Sequence, residues 1–234
     1  MRINRTKNPP ARRVHKRGQR KKAHYVALGG VRDLSQLESR LEASAAIVMG
    51  LDPRIRAMRS QPICFDVTTG RTYALKEELR QATAGHAVKP VAYTPDFEIG
   101  LGKGPAFVEV KHSKLIALLP EFVEYPDILA RFGHRLLLLD EEDLPEELHR
   151  NARLLQIALR QPVPEADLHA VASSCIEPTS FTALKAKGHS ERTILVAIGT
   201  GVLSCDLRYH RLSGDTVVSV TTGAPTHLME LPFD

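Results

Sequence analysis

Cysteine is scarce and badly placed for structural work: Cys64, Cys175 and Cys205 are odd in number, far apart and in no CxxC pair. That spacing excludes a disulfide framework and a cysteine-rich zinc site, and it fits reduced core thiols. Long apolar runs are missing too. No stretch approaches the ~18 apolar residues that span a bilayer, and the N-terminal segment lacks a signal peptide's apolar stretch. The expected compartment is therefore the cytoplasm, without membrane contact. Gly-x-Ser-x-Gly, Walker A and GxGxxG sequences are absent, so nucleophilic serine chemistry and a glycine-rich phosphate cradle have no support. Beyond the N-terminal segment there is no low-complexity region, and there is no internal repeat.

Acidic residues are absent from residues 1–24, which hold ten basic ones. The net +5 of the chain resolves into +10 on that segment and −5 on the remainder. A segment with Pro9-Pro10 and almost no apolar residues cannot bury enough surface to fold alone. It reads as a basic disordered tail over residues 1–28, with Arg12, Arg13, Lys16, Arg17, Arg20, Lys21 and Lys22 as nucleic-acid contacts through counterion release. The whole chain's 43% hydrophobic, 25% charged composition is that of a globular protein, and 234 residues suit one large or two small domains.

Periodicity predicts a helix over "RDLSQLESRLEASAAIVMGLDP", residues 32–53, then a hairpin around Thr68-Thr69-Gly70. Two further strands, "VKPVAYTPDFEIG" and "GPAFVEVKH", are joined by the Gly100–Gly104 turn. A helical stretch over 114–132, broken at Pro120 and Pro126, precedes a short buried strand in "HRLLLLDEED". These elements form an α/β domain over 29–143. Residues 144–234 read as four short helices and a β-hairpin, the pattern of a winged helix-turn-helix, with 178–187 as a candidate recognition helix carrying Lys185 and Lys187.

One strand carries unexpected charge. Side chains alternate faces, so Glu109 and Lys111 share one face of "FVEVK" while Val108 and Val110 share the other. Asp96, at the start of the preceding strand, lies within reach of Glu109 across a hairpin. Two carboxylates held together repel unless a cation sits between them, and a hard divalent ion with oxygen ligands at ~2.1 Å meets that need. Lys111 beside such a site can lower the pKa of an attacking water or stabilise a pentacovalent phosphate. Asp, then Glu-x-Lys, is thus a layout for metal-assisted phosphodiester hydrolysis. For a third acid there are two candidates, Glu38 and, one turn later, Glu42. On spacing alone Glu38 fits better as the partner of Ser35 in a capping box.

At these residues the chain resembles the TnsA family, the endonuclease subunit of Tn-seven-like heteromeric transposases, within the restriction-endonuclease-like PD-(D/E)xK nucleases. The resemblance rests on "LSQLESRLE", "LDPRIRAMRSQP", "YTPDF" and "FVEVK", in that order, and covers roughly residues 32–140. It implies a nuclease core that cuts the non-transferred strand at transposon ends with Mg²⁺, for which Mn²⁺ substitutes. It further implies double-stranded DNA, a TnsB-like transposase and a TnsC-like AAA+ regulator as partners, the last contacted through a winged-helix-like C-terminal region. Carried over residue by residue, Glu38 matches the family's helix glutamate, Asp96 its metal-binding aspartate and Lys111 its catalytic lysine, which turns the reading of Glu38 from cap to ligand. Glu109 stands where the family varies. The expected site is therefore Glu38, Asp96, Glu109 and Lys111, with the three acids as metal ligands. The competing expectations are an inactive DNA-binding scaffold of the same fold and a restriction or repair nuclease.

Overall fold

A computed structural model describes residues 10–11, 24–27 and 34–233. Almost all of the basic segment, including the seven arginines and lysines named above as DNA contacts, lies outside the described residues. The chain divides into two compact units, Met1–Ala46 with Ile55–Glu142 and Ile47–Arg54 with Asp143–Asp234. Both α-helices and β-strands are present, in the mixed α/β class the sequence predicts. Among the described residues no helix is long and apolar enough to cross a membrane.

The first unit opens with an antiparallel pair, β1 (His24–Ala27) and β2 (Leu34–Leu37), followed by α1 (Arg40–Met49), whose last three residues are counted with the second unit. The helix thus starts eight residues later than its periodicity predicts. Leu34 and Leu37 are spaced as on a helix, but strand pairing with β1 takes up the backbone of 34–37. No helix therefore begins at Ser35. Ser39 takes the capping role instead, its Oγ accepting from the Glu42 amide at 3.1 Å, while the Glu42 carboxylate accepts from the Glu38 amide at 2.9 Å.

Next come β3 (Ala57–Ser60), β4 (Cys64–Asp66), β5 (Thr72–Tyr73), α2 (Lys76–Ala82), β6 (Ala92–Tyr93), β7 (Phe97–Leu101), β8 (Gly104–Val110), α3 (Ser113–Leu118), α4 (Glu121–Arg131) and β9 (Leu136–Leu139). Four strands form the main sheet in the order β3-β7-β8-β9, antiparallel except for the parallel β8–β9 pair, which α3 and α4 connect. A second sheet has the order β5-β4-β6. Along β7, Phe97, Ile99 and Leu101 are buried and alternate with half-buried Glu98 and Gly100. Every residue of β8 from Ala106 to Val110 is buried, so both of its faces are covered and its charged position cannot look into bulk water.

Phe65, Val67, Tyr93, Phe107, Leu129 and Leu136 form the core between the sheets and α4. The β4–β5 turn is held by Asp66, which accepts from Thr68 N and Thr69 Oγ1. Gly70 closes it with φ of 71°, where a Cβ would lie 2.3 Å from the Phe132 ring. Pro120 ends α3, as expected, but Pro126 sits inside α4 without breaking it. Mid-helix is where proline is least favourable, through its missing amide and its ring, yet α4 runs through it.

The second unit contains α5 (Glu146–Ala158), α6 (Glu165–Ser173), β10 (Thr179–Ser180), α7 (Phe181–Ala186), α8 (Glu191–Gly199), β11 (Leu203–Ser204) and β12 (Val217–Val220). The apolar helix α8 is its centre, with Ile194 to Ile198 all buried and α5, α6 and α7 packed around it. Ser180 and Ser190 cap α7 and α8 by accepting from Ala183 N and Thr193 N. Strand β12 pairs antiparallel with both β10 and β11. Buried Asn151 on α5 pins the long connection before β12, donating to the carbonyls of Leu207 and His210 and accepting from Leu212 N.

Candidate active site

The β7–β8 hairpin is in the register that brings Phe97 opposite Val108. Asp96 therefore stands at the mouth of the hairpin beside Val110, where its Oδ2 accepts from the Val110 amide at 2.9 Å. Pro95 and the short Thr94–Asp96 link between β6 and β7 set it there, and its own carbonyl accepts from Gln61 N at the end of β3. Glu109, in β8, accepts from the Tyr93 hydroxyl at 2.9 Å through Oε2. Its Oε1 lies 2.6 Å from Lys111 Nζ, which is 3.5 Å from Asp96 Oδ2. Three of the four residues singled out from the sequence thus meet directly at one end of the sheet.

The setting is nearly dry. Asp96 is 6% exposed, Glu109 3% and Glu42 5%. The Lys111 stem runs beside Phe122, with Nζ 5.3 Å from the ring centroid, and Tyr93 packs against Tyr125 at 4.4 Å between centroids. Burial, and next the Asp96 charge, push the carboxyl of Glu109 up from 4.5 to about 7 against the pull of Lys111. Glu42 is pushed to about 7 by the same two causes. Burial raises Asp96 also, opposed chiefly by Lys111. Burial alone would depress the Lys111 ammonium; Asp96, Glu109 and Glu42 outweigh it and raise its pKa instead. The Tyr93 phenol is held well above its usual value by burial and by Glu109.

Glu38 lies in the bend before α1, half-buried, and its Oε1 accepts from Gln61 Nε2 at 3.1 Å. Its charge acts on Asp96, as does that of Glu42. Both acids are therefore gathered at the Asp96 side of the site, and Glu42 is the more deeply buried of the two. Two residues emerge that the site reading of the sequence passed over. Tyr93 and Gln61 stand within the stretches "YTPDF" and "RSQP", and the only local signal was a polar side chain at a strand end, next to a proline for Gln61 and two residues before one for Tyr93.

Lys185 and Lys187 are exposed at the end of α7, but both have partners within the second unit. Lys185 pairs with Glu191 at 3.3 Å, and Lys187 donates to the Ser174 carbonyl at 2.6 Å. Arg54 and Arg59, in the "LDPRIRAMRSQP" stretch, pair with Asp52 and Glu98 respectively.

Chemically, the site is an all-oxygen donor set around one ammonium. Lys111 occupies the position between Asp96 and Glu109, and among the described residues no three acidic, histidine or cysteine side chains are gathered as a ready metal cluster. The donor chemistry nevertheless fits a hard divalent cation: carboxylates in excess of cations, and a buried amide oxygen of Gln61 without a hydrogen-bond partner among the described residues. No family model matches the chain, and no curated protein sequence matches it.

Proposed function

We propose that this protein is a metal-dependent DNA endonuclease of the TnsA type, with a restriction-endonuclease-like core in its first unit and a winged-helix-like second unit. On this reading it cleaves the non-transferred strand at transposon ends together with a TnsB-like transposase and a TnsC-like regulator. The observation that carries the proposal is the buried Asp96–Lys111–Glu109 constellation at the end of the β7–β8 hairpin. Here two buried carboxylates, Asp96 and Glu109, share a single ammonium, and the charge of a third, Glu42, acts on it. The four helices and the β11–β12 hairpin support the winged-helix reading of the second unit.

Asp96, Glu109 and a helix acid would hold Mg²⁺, which when bound supplies Lewis-acid stabilisation of the scissile phosphate and a water acidified for attack. The water oxygen bonds to phosphorus, and the bond from phosphorus to the leaving sugar oxygen breaks. Lys111 contributes positive charge. Its raised pKa keeps it an ammonium at neutral pH, so it stabilises the growing negative charge on the phosphoryl oxygens rather than abstracting the water proton. An acid of the cluster that stays outside the cation's shell takes that proton. Tyr93 fixes the Glu109 carboxylate through Oε2 and leaves Oε1 turned to Lys111.

The test is strand cleavage of a transposon-end duplex in Mg²⁺ with the partner transposase. Asp96→Ala and Lys111→Ala are each expected to abolish cleavage while the protein still melts cooperatively; cleavage surviving in both would sink the assignment. A second reading is favoured by one observation, the closed Lys111 ion pairs, which resemble a self-contained polar core. It makes the chain a non-catalytic DNA-binding scaffold, with DNA affinity that depends on salt but not on divalent metal.

A further inference from the structure

Gln61 combines three properties that a structural residue rarely shows together. Its φ is 44°, the only positive value outside glycine among the described residues. The left-handed region is costly for a residue with a Cβ. It precedes Pro62, a setting that pushes the backbone toward extended conformations and so adds to the misfit. Its side chain is buried, at 3% residue exposure, with Oε1 unpartnered among the described residues. Strained backbone and unsatisfied buried polar atoms persist where the surroundings force them, and both concentrate at functional sites.

The surroundings here do force it. Gln61 N donates to the Asp96 carbonyl at 2.8 Å, and the Gln61 carbonyl accepts from Ala11 N at 2.9 Å. The side-chain amide is turned to Glu38, to which Nε2 donates. The conformation thus ties the backbone of Asp96 and the carboxylate of Glu38 to a single residue and leaves its neutral amide oxygen buried without a partner among the described residues.

We propose that Gln61 is a positioning residue of the acidic site, which orients Glu38 through Nε2 and offers Oε1 to the coordination shell of the divalent cation. The proposal rests on the metal-site reading above and goes beyond it, because a neutral amide adds an oxygen without adding charge to a site already rich in carboxylates. Amide carbonyls are ordinary ligands of hard cations, and residues that orient ligands typically control metal affinity by about 10- to 100-fold.

The experiment is Mn²⁺ titration of the full chain, alone and with a DNA duplex, for wild type, Gln61→Leu, Gln61→Glu and Asp96→Ala, with melting temperatures taken in each condition. Gln61→Leu is expected to weaken Mn²⁺ binding about tenfold or more while lowering the metal-free melting temperature only slightly, since it loses the Nε2 hydrogen bond to Glu38 but also removes an unpaired buried acceptor. Gln61→Glu restores an oxygen and recovers the affinity. Its metal-free form melts below wild type through repulsion from its acidic neighbours, and Mn²⁺ raises its melting temperature more than it raises that of wild type. Should Gln61→Leu not fold, this larger gain in Gln61→Glu decides alone. Wild-type affinity in Gln61→Leu, with Mn²⁺ binding lost in Asp96→Ala, overturns the role of Gln61 and leaves the site intact. Absence of Mn²⁺ binding in wild type in both conditions overturns both.

Discussion

The two units bury charge in opposite ways. In the second, Asp52 is 3% exposed and is matched by one arginine: Arg54 Nη2 lies 2.7 Å from its Oδ2. The same guanidinium donates to the carbonyls of Met229 and Leu231, and lies 5.6 Å from the Phe233 ring centroid. Its remaining buried polar residues, Asn151, Thr193 and His227, are uncharged types. In the first unit, Glu42, Asp96 and Glu109 are buried beside a single lysine, with Glu38 at the margin. Matched charge ties a chain to itself. Burial, and next the surplus of charge of one sign, raises the pKa of the acids and leaves them ready for a cation or a proton.

The largest expected effect strikes the surplus. Lys111→Met should reduce partner-dependent strand cleavage by at least about 10²- to 10³-fold, measured as initial rates on a transposon-end duplex. The same change leaves the acids without their counter-charge, so the metal-free protein should protonate further rather than unfold at pH 7. Breaking the matched pair should act differently. Arg54→Ala strands a buried carboxylate, and we expect a loss of about 3–5 kcal/mol in denaturant unfolding of the second unit, with Mn²⁺ affinity unchanged.

An intermediate effect is the pH dependence of stability. Glu42 and Glu109 hold protons up to about 7 in the folded protein, against 4.5 ordinarily. Between those values the folded state binds more protons than the unfolded chain, so stability falls as pH rises across the window, by up to about 1.4 kcal/mol per pH unit for each group. Melting of the metal-free protein from pH 5 to 7.5 should show the fall, and Glu109→Gln should make it shallower. Saturating Mn²⁺ should flatten it as well, because a bound cation favours the ionised carboxylates.

Smaller effects sharpen the contrast. Tyr93→Phe removes the hydroxyl held by Glu109, with an expected cost of roughly 1.5–3 kcal/mol to stability and a slower cleavage rate. Lys185→Ala deletes an exposed pair in the second unit, and its effect on melting should stay within about 0.5 kcal/mol. A larger loss there would mean that the α7 surface is more tightly built than its exposure indicates.

Much of the Asp96–Lys111 hairpin was legible in the sequence because period-two alternation and a glycine turn are local signals. The face shared by Glu109 and Lys111, and the approach of Asp96, follow from strand geometry alone. The start of α1 was not legible, since Leu34 and Leu37 satisfy a helical spacing and only the pairing with β1 makes them a strand. That shift moves the cap to Ser39 and brings Glu42 into the site beside Glu38. Gln61 was hidden for a deeper reason: its left-handed backbone is imposed by contacts to Asp96 and Ala11, distant in sequence. Pro126 was misread because local propensity disfavours a mid-helix proline, whereas α4 continues through it, with Leu129 buried in the core on its far side.

The most direct test of the central claim, that the acid surplus of the first unit serves a divalent cation, is calorimetric titration of Mn²⁺ into the full chain and its Asp96→Ala variant at a pH above 7. Binding by the wild type that is lost in Asp96→Ala is the predicted result. Equal binding by both, or none by either with DNA present, would contradict it.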